Sequence, residues 1–381
     1  MRSRITIALV AALVLATACA AVGASTPEVR LSGARTASAG SEWRASLTVR
    51  PAPRTLPRVT AKLGRATTPV AVRRVATGRY GLRATFQRPG RWLLTARVGS
   101  RSATLGMVTV ARIRLTSALG IALHPDGSLL IADGDAGRVV RADLASGRLS
   151  LFASRSLSAP TGIDVGPDGT VYVADRHAPA VFRIRRGVVT RFAEYGEPLD
   201  VAVDAQGVVF VTGRAHTVVR IRPDGSTARY AGTGRQGATG DGGPALAATF
   251  DAPHGIAVDP GGNVVVAEVG SVRRIDRGTT VVQRIVGTGA RQLCAERGPP
   301  LRICLSALRV GFAKDGTLWV ADPENRRLWR VVAGEARGYA LGFAPFDVAA
   351  ESTTRVLVAD NENRRVLRFD AATGRASTVV G

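Results

Sequence analysis

The chain has 381 residues, 45% of them apolar and 5% aromatic, and a formal charge of +23 in which arginine supplies all but two of 52 basic residues. That length and apolar content suffice for a large core and more than one domain. Beyond one short N-terminal run no stretch is apolar enough to span a bilayer, and four histidines and three cysteines leave few ligands for metal chemistry.

Residues 1–24 read as a leader. Ile5 to Ala18 is an apolar run preceded by Arg2 and Arg4 and followed by small residues, the pattern of a secretory signal peptide with Val22 and Ala24 placed for cleavage. The stretch Leu15-Ala16-Thr17-Ala18-Cys19 offers a second reading, a lipobox with Ala16 in place of a large aliphatic residue, which makes Cys19 a lipidation candidate. Both readings put the protein outside the cytoplasm, secreted or at the cell surface. In that oxidising setting Cys294 and Cys304, ten apart in one loop, are expected to form a disulfide.

Residues 26–111 alternate apolar and polar side chains over short runs: Trp43 to Val49, Val59 to Leu63, Tyr80 to Phe86, Trp92 to Val98 and Ala103 to Val110. Gly and Pro separate them, so the segment is expected to be an antiparallel β-sandwich. Fifteen arginines and Lys62 face only Glu28 and Glu42 there. Most of the positive potential therefore sits on this segment, which predicts association with anionic envelope polymers or lipid head groups.

Residues 115–381 carry one repeated cassette, a β-branched run ending in an acid. It appears as Ile131-Ala132-Asp133, Val173-Ala174-Asp175, Val266-Ala267-Glu268, Val320-Ala321-Asp322 and Val358-Ala359-Asp360, with a degenerate copy at Val211-Thr212-Gly213. Tight-turn pairs precede it: Asp126-Gly127, Asp168-Gly169, Gly261-Gly262 and Asp315-Gly316. Six units of about forty residues, each with four short strands, predict an all-β, six-bladed propeller in which every blade supplies its own fourth strand.

The stretch from Gly232 to Glu268, GTGRQGATGDGGPALAATFDAPHGIAVDPGGNVVVAE, resembles the NHL-repeat propellers of exported bacterial proteins. The stretches AGSEWRASLTV and FQRPGRWLLTARVG, Ala39 to Val49 and Phe86 to Gly99, resemble immunoglobulin-like modules attached to such proteins. Related propellers include amidating lyases, gluconolactonases and streptogramin lyases, which implies that metal ligands, where present, belong on the face carrying the loops that enter each blade. That face is called upper below.

On the upper face the first-strand entry position is Gly120, Gly162 and Gly255 in three repeats, and Asp200, Arg309 and Asp347 in the others. Repeats three and six oppose each other, so Asp200 and Asp347 are expected to face across the channel mouth, with Arg309 beside Asp347. Such a trio suits a cation or polar ligand; the alternative is that each Asp caps local backbone amides. His254 stands just before an entry glycine, and His177 and His216 lie in loops of adjacent repeats, so all three are ligand-binding candidates. No nucleophile motif or phosphate loop stands out, and basic residues without interleaved aromatics argue against nucleic acid. The residues favour a binding protein without a cofactor, engaging a protein, peptide or glycan on the upper face. The other reading is a lactonase-like hydrolase or lyase with calcium or zinc at Asp200 and Asp347.

Overall fold

The computed structural model describes residues 28–381 apart from Pro51, Arg54, Gln87 and Arg155, so the expected leader and Cys19 lie outside the described residues. The chain forms two compact units that divide between Arg112 and Ile113.

The N-terminal unit consists of β1 (Glu28–Gly33), β2 (Thr36–Ser38), β3 (Glu42–Arg50), β4 (Arg58–Leu63), β5 (Ala66–Ala76), β6 (Arg79–Thr85), β7 (Gly90–Val98) and β8 (Arg101–Ala111). They pair in the order β1-β3-β6-β5-β4-β7-β8-β2. Strand β5 is long enough to serve both halves of this ladder: Ala66 to Val70 pair with β4, and most of the remainder with β6. Alternation sends Trp43, Leu47, Tyr80 and Leu82 from one half and Val59, Leu94 and Val108 from the other into a single core. One pair departs from the antiparallel expectation. The chain turns at Gly33, whose φ of 128° favours glycine, and β2 then runs parallel to β8.

The second unit is a six-bladed β-propeller. Blade 1 runs from Gly120 to Ala153, blade 2 from Pro160 to Glu194 and blade 3 from Pro198 to Ala231. Blade 4 runs from Gly255 to Val286, blade 5 from Arg309 to Ala340 and blade 6 from Asp347 to Val380. Each is four consecutive antiparallel strands, and blade 5 gains a two-residue edge strand, Arg297–Gly298, from the loop that precedes it. Second strands such as Leu129–Asp133 and Val171–Asp175 are buried on both faces, which is why they read as unbroken apolar runs. Gly127, Gly169, Gly262 and Gly316 take φ between 76° and 87° in the hairpin turns, a conformation costly for other residues.

Blades are joined by apolar clusters, one at each of the six interfaces. The cluster between blades 6 and 1 sets Ile121, Ile131 and Val140 against Leu357, Ala359 and Val380. Closure is thus achieved by side-chain packing, with no strand borrowed from the N-terminal side. Ile113 and Leu115 bury themselves in that same seam and do not compete for a strand edge.

Two long loops enter blades 4 and 5. Each drives apolar side chains between neighbouring blades: Ala245, Ala248 and Phe250 between blades 3 and 4, and Ile303, Leu305 and Ala307 between blades 4 and 5. They are wedges that thicken the interfaces. The disulfide Cys294–Cys304 closes the second loop.

Candidate functional site

The first strands of neighbouring blades pack against one another around the axis. This proximity explains the entry glycines. A Cβ on Gly162 would lie 2.5 Å from the Asp200 Cα, and one on Gly255 would lie 2.7 Å from the Arg309 Cα. Only glycine fits where the next blade's backbone comes so near.

Asp200, Arg309 and Asp347 fill the axis itself. All three are buried, at 6%, 3% and 7% exposure. The Ile256 amide of blade 4 donates to Asp200 Oδ2 at 3.0 Å, and the Ile121 amide of blade 1 donates to Asp347 Oδ2 at 2.7 Å. Each carboxylate therefore ties its blade to another in the ring, and Asp347 also caps its own strand, its Oδ1 accepting from the Val348 amide at 2.8 Å. Arg309 extends from blade 5 to blade 3, where its Nη2 donates to the Leu199 carbonyl at 2.9 Å. Its Nη1 lies 2.6 Å from Asp200 Oδ2, close enough for charge attraction but off the line of its N–H bonds, and its Nε has no hydrogen-bond partner. The ion pair is with Asp200, because a guanidinium is long enough to cross the axis, while the Arg309 charge also acts on Asp347 in the neighbouring blade.

Burial pushes the Asp347 carboxyl up to about 7, against the pull of Arg309 and helped by the nearby Asp200 charge. Asp200 is also raised by burial, with Arg309 acting the other way. A third acid belongs to this column: Asp164 of blade 2, partly buried and raised to about 7 by desolvation, accepts from the Val203 amide of blade 3 at 2.8 Å. Sequence reasoning passed over it because it lies inside a strand whose other residues are apolar.

Metal chemistry does not fit here. Among the described residues no three His, Cys, Asp or Glu side chains converge as metal ligands. The Asp200 carboxylate is already committed to Arg309 and the Ile256 amide, and that of Asp347 to the Ile121 and Val348 amides.

Above this plug lies a cavity of about 930 Å³ to which all six blades contribute. Its wall is built from the residue just before each entry position: Leu119, Thr161, Leu199, His254, Leu308 and Phe346. His177 and His216 reach the same cavity from the loops of blades 2 and 3, so the structure brings the three candidate histidines to one site with Arg309 at its floor. Arg176 and Arg214 also line it, and sequence reasoning missed both because isolated loop arginines are unremarkable in a chain so rich in them.

His254 Nδ1 lies 2.8 Å from the Ala252 carbonyl. A carbonyl can only accept, so Nδ1 carries the proton and Nε2 keeps its lone pair. Burial, then the Arg309 charge, hold this imidazole below the ordinary histidine value, so it is neutral at pH 7. His216 takes a positive φ of 54° and places Nδ1 3.2 Å from the Phe250 carbonyl. The cavity thus has one neutral histidine fixed in orientation and a second anchored to the loop of blade 4.

The repeated acids act as scaffold. Asp133 Oδ1 accepts from the Thr116 and Ser117 amides, and Asp175 from the Ser158 and Ala159 amides, fixing the loops that enter their own blades. Arg138 and Arg365 pair with Asp133 and Asp360. Arg327 departs from that pattern and pairs with Glu296.

No known protein-family model matches the chain, and no curated protein resembles it in sequence. Solved structures do resemble it. A Bacteroides thetaiotaomicron VPI-5482 protein of unknown function is 12% identical and aligns over 89% of this chain and 97% of its own, with a TM-score of 0.55. A chain of the nidogen/laminin complex is 16% identical over 67% of this chain and 93% of its own, at 0.54. A streptogramin B lyase is 15% identical over 71% and 84%, at 0.50. At these identities the likeness is one of fold, and function has to be argued from the site.

Proposed function

We propose that this is an extracytoplasmic binding protein of the NHL type, which captures a protein, peptide or glycan ligand on the upper face of its propeller. The observation that carries the reading is the cavity of about 930 Å³ walled by one residue from every blade. Its volume falls in the range of sites that enclose a small ligand or a segment of a larger one. Arg309 lies at its floor. The disulfide Cys294–Cys304 supports a life outside the cytoplasm. Among the described residues no helix is long and apolar enough to cross a membrane.

The N-terminal unit serves as a basic anchor of immunoglobulin-like sandwich type, and its strand order supports this, with β1-β3-β6 in one half and β4-β7-β8 in the other. Arg44 and Arg83 are exposed and directly opposite each other across β3 and β6, as are Arg58 and Arg97 across β4 and β7. Like charges in such pairs repel, and an anionic polymer or head-group layer relieves the repulsion.

The test is a screen of peptide and glycan libraries with the wild-type chain and with Leu308→Trp, which puts a bulkier side chain into the cavity wall. Ligands captured by the wild type and lost by the variant support the reading. Ligands captured equally by both overturn it.

A further inference from the structure

The cavity is not uniform around its rim. Arg176 and His177 come from blade 2, and Arg214 and His216 from blade 3. In a six-membered ring those blades stand opposite blades 5 and 6, which contribute Leu308 and Phe346; blade 1, between blades 6 and 2, contributes Leu119, and blade 3 adds Leu199 beside its cation. One side of the cavity is therefore cationic and the facing side apolar. Asp135 is the single carboxylate-bearing residue in the lining.

The cations on that side are available. Arg176 is exposed and has no ion-pair partner among the described residues. Arg214 pairs with Glu197 at 3.2 Å, but both side chains are more than half exposed, so the pair holds the guanidinium only weakly. Arg309 is different: its charge is met by Asp200 at the floor, and it contributes little to an incoming ligand. His254, neutral and bonded to the Ala252 carbonyl, presents an acceptor and adds no positive charge. The attractive charge thus comes from blades 2 and 3 alone, across the cavity from the apolar wall.

Resting on the reading of this cavity as the ligand site, we propose that the part of the ligand it encloses is an amphiphilic carboxylate, with the carboxylate toward Arg176 and Arg214 and the apolar body against Leu308, Phe346 and Leu119. A guanidinium holds a carboxylate through paired N–H donors, which a neutral amide cannot match and an ammonium opposes. The apolar wall supplies affinity by burial, and the cations supply the choice of head group.

The test uses the full chain and three probes that differ only in the head: 4-phenylbutanoate, 4-phenylbutanamide and 4-phenylbutylammonium, titrated calorimetrically at low salt. The carboxylate is expected to bind roughly tenfold more tightly than the amide, and the ammonium more weakly still. Arg176→Gln combined with Arg214→Gln should reduce the carboxylate's advantage to about twofold or less while leaving the amide's affinity in place. Leu308→Trp should change the affinity of all three, because it reshapes the wall their common phenyl group packs against. Equal affinity for carboxylate and amide, a preference for ammonium, or no binding by any probe overturns the proposed class and leaves the cavity reading to the library screen above. Affinities left unchanged for all three probes by Leu308→Trp overturn the cavity reading itself, because the ligand then sits elsewhere.

Discussion

Arg309→Met removes the cation on which two buried carboxyls depend. Methionine keeps much of the arginine stem's apolar volume, so the substitution isolates charge and hydrogen bonding from packing. Asp347 titrates near 7 in the folded protein because it is buried, and Asp200 is raised for the same reason. An acid whose folded pKa lies above its unfolded value of about 3.9 contributes stability at low pH that is lost as pH rises through the folded value. Arg309 limits that loss by attracting the ionised forms. Without it, the penalty for ionising Asp200 and Asp347 grows, and it is felt only where those groups would ionise. At pH 8 the variant is expected to lose about 3–5 kcal/mol, the usual result of leaving a buried charge unpaired. At roughly 2–4 °C per kcal/mol for a domain of this size, the melting temperature should fall by about 10 °C. At pH 5, where Asp347 is protonated in both proteins, the loss should shrink toward the roughly 1 kcal/mol expected for the lost bond to the Leu199 carbonyl. Thermal unfolding of the full chain at both pH values reads this directly, and adding Asp200→Asn to the variant should recover part of the pH 8 deficit. An equal loss at pH 5 and pH 8 refutes the electrostatic account and leaves Arg309 as a packing residue.

Replacing Cys294 and Cys304 together with serine opens a loop with a sequence separation of 10 and should cost about 2–3 kcal/mol on the chain-entropy estimate, read by urea unfolding under non-reducing conditions. Gly162→Ala places a methyl 2.4 Å from Asp200 Oδ1 and 2.5 Å from its Cα, so it should destabilise the propeller far more than a Gly→Ala change in an open turn such as Gly334, where nothing lies within 4 Å. Comparing the two melting temperatures checks this. Arg83→Gln removes one half of the facing Arg44–Arg83 pair, so retention of the full chain on an immobilised polyanion should end at lower salt with no loss of thermal stability. Unchanged elution would remove that face from the anchoring role.

The blade count was legible because each blade repeats a local signal, a tight turn followed by a buried strand ending in an acid. Local hydrogen bonds enforce that signal, and they leave an acid at the strand end in five of the six copies: Asp133 and Asp175 hold their own entry loops in the same way. The break in symmetry at Asp200, Arg309 and Asp347 was also visible. What those residues do was not, because an arginine's partner is set by how far the side chain reaches across an axis, and sequence order reports only which blade it leaves from. Arg273 was illegible for a related reason. It stands beside Arg274 in the same strand, and only the structure shows that Arg274 is partly exposed and Arg273 the fully buried one. It bonds Asp241 at 2.9 Å and the carbonyls of Thr249 and Thr239 at 2.7 and 3.0 Å, holding the whole loop before blade 4.

That loop and the one before blade 5 are two versions of one device, which their sequences barely disclose. Both begin Gly-Thr-Gly, at Gly232 and Gly287, and both lock an acid onto the first arginine of a third strand, Asp241 onto Arg273 and Glu296 onto Arg327. Counting from the shared glycines, Thr239 and Thr249 fall where Cys294 and Cys304 fall. The threonine hydroxyls meet at 2.9 Å, and the cysteines are covalently joined. The same cross-link is thus made once by a hydrogen bond and once by a disulfide. The difference follows from what else holds each loop. The loop before blade 4 has Arg273, fully buried and bonded to two of its carbonyls, whereas Arg327 holds the loop before blade 5 through the largely exposed Glu296. Where the polar anchor is weaker, the covalent one stands in its place.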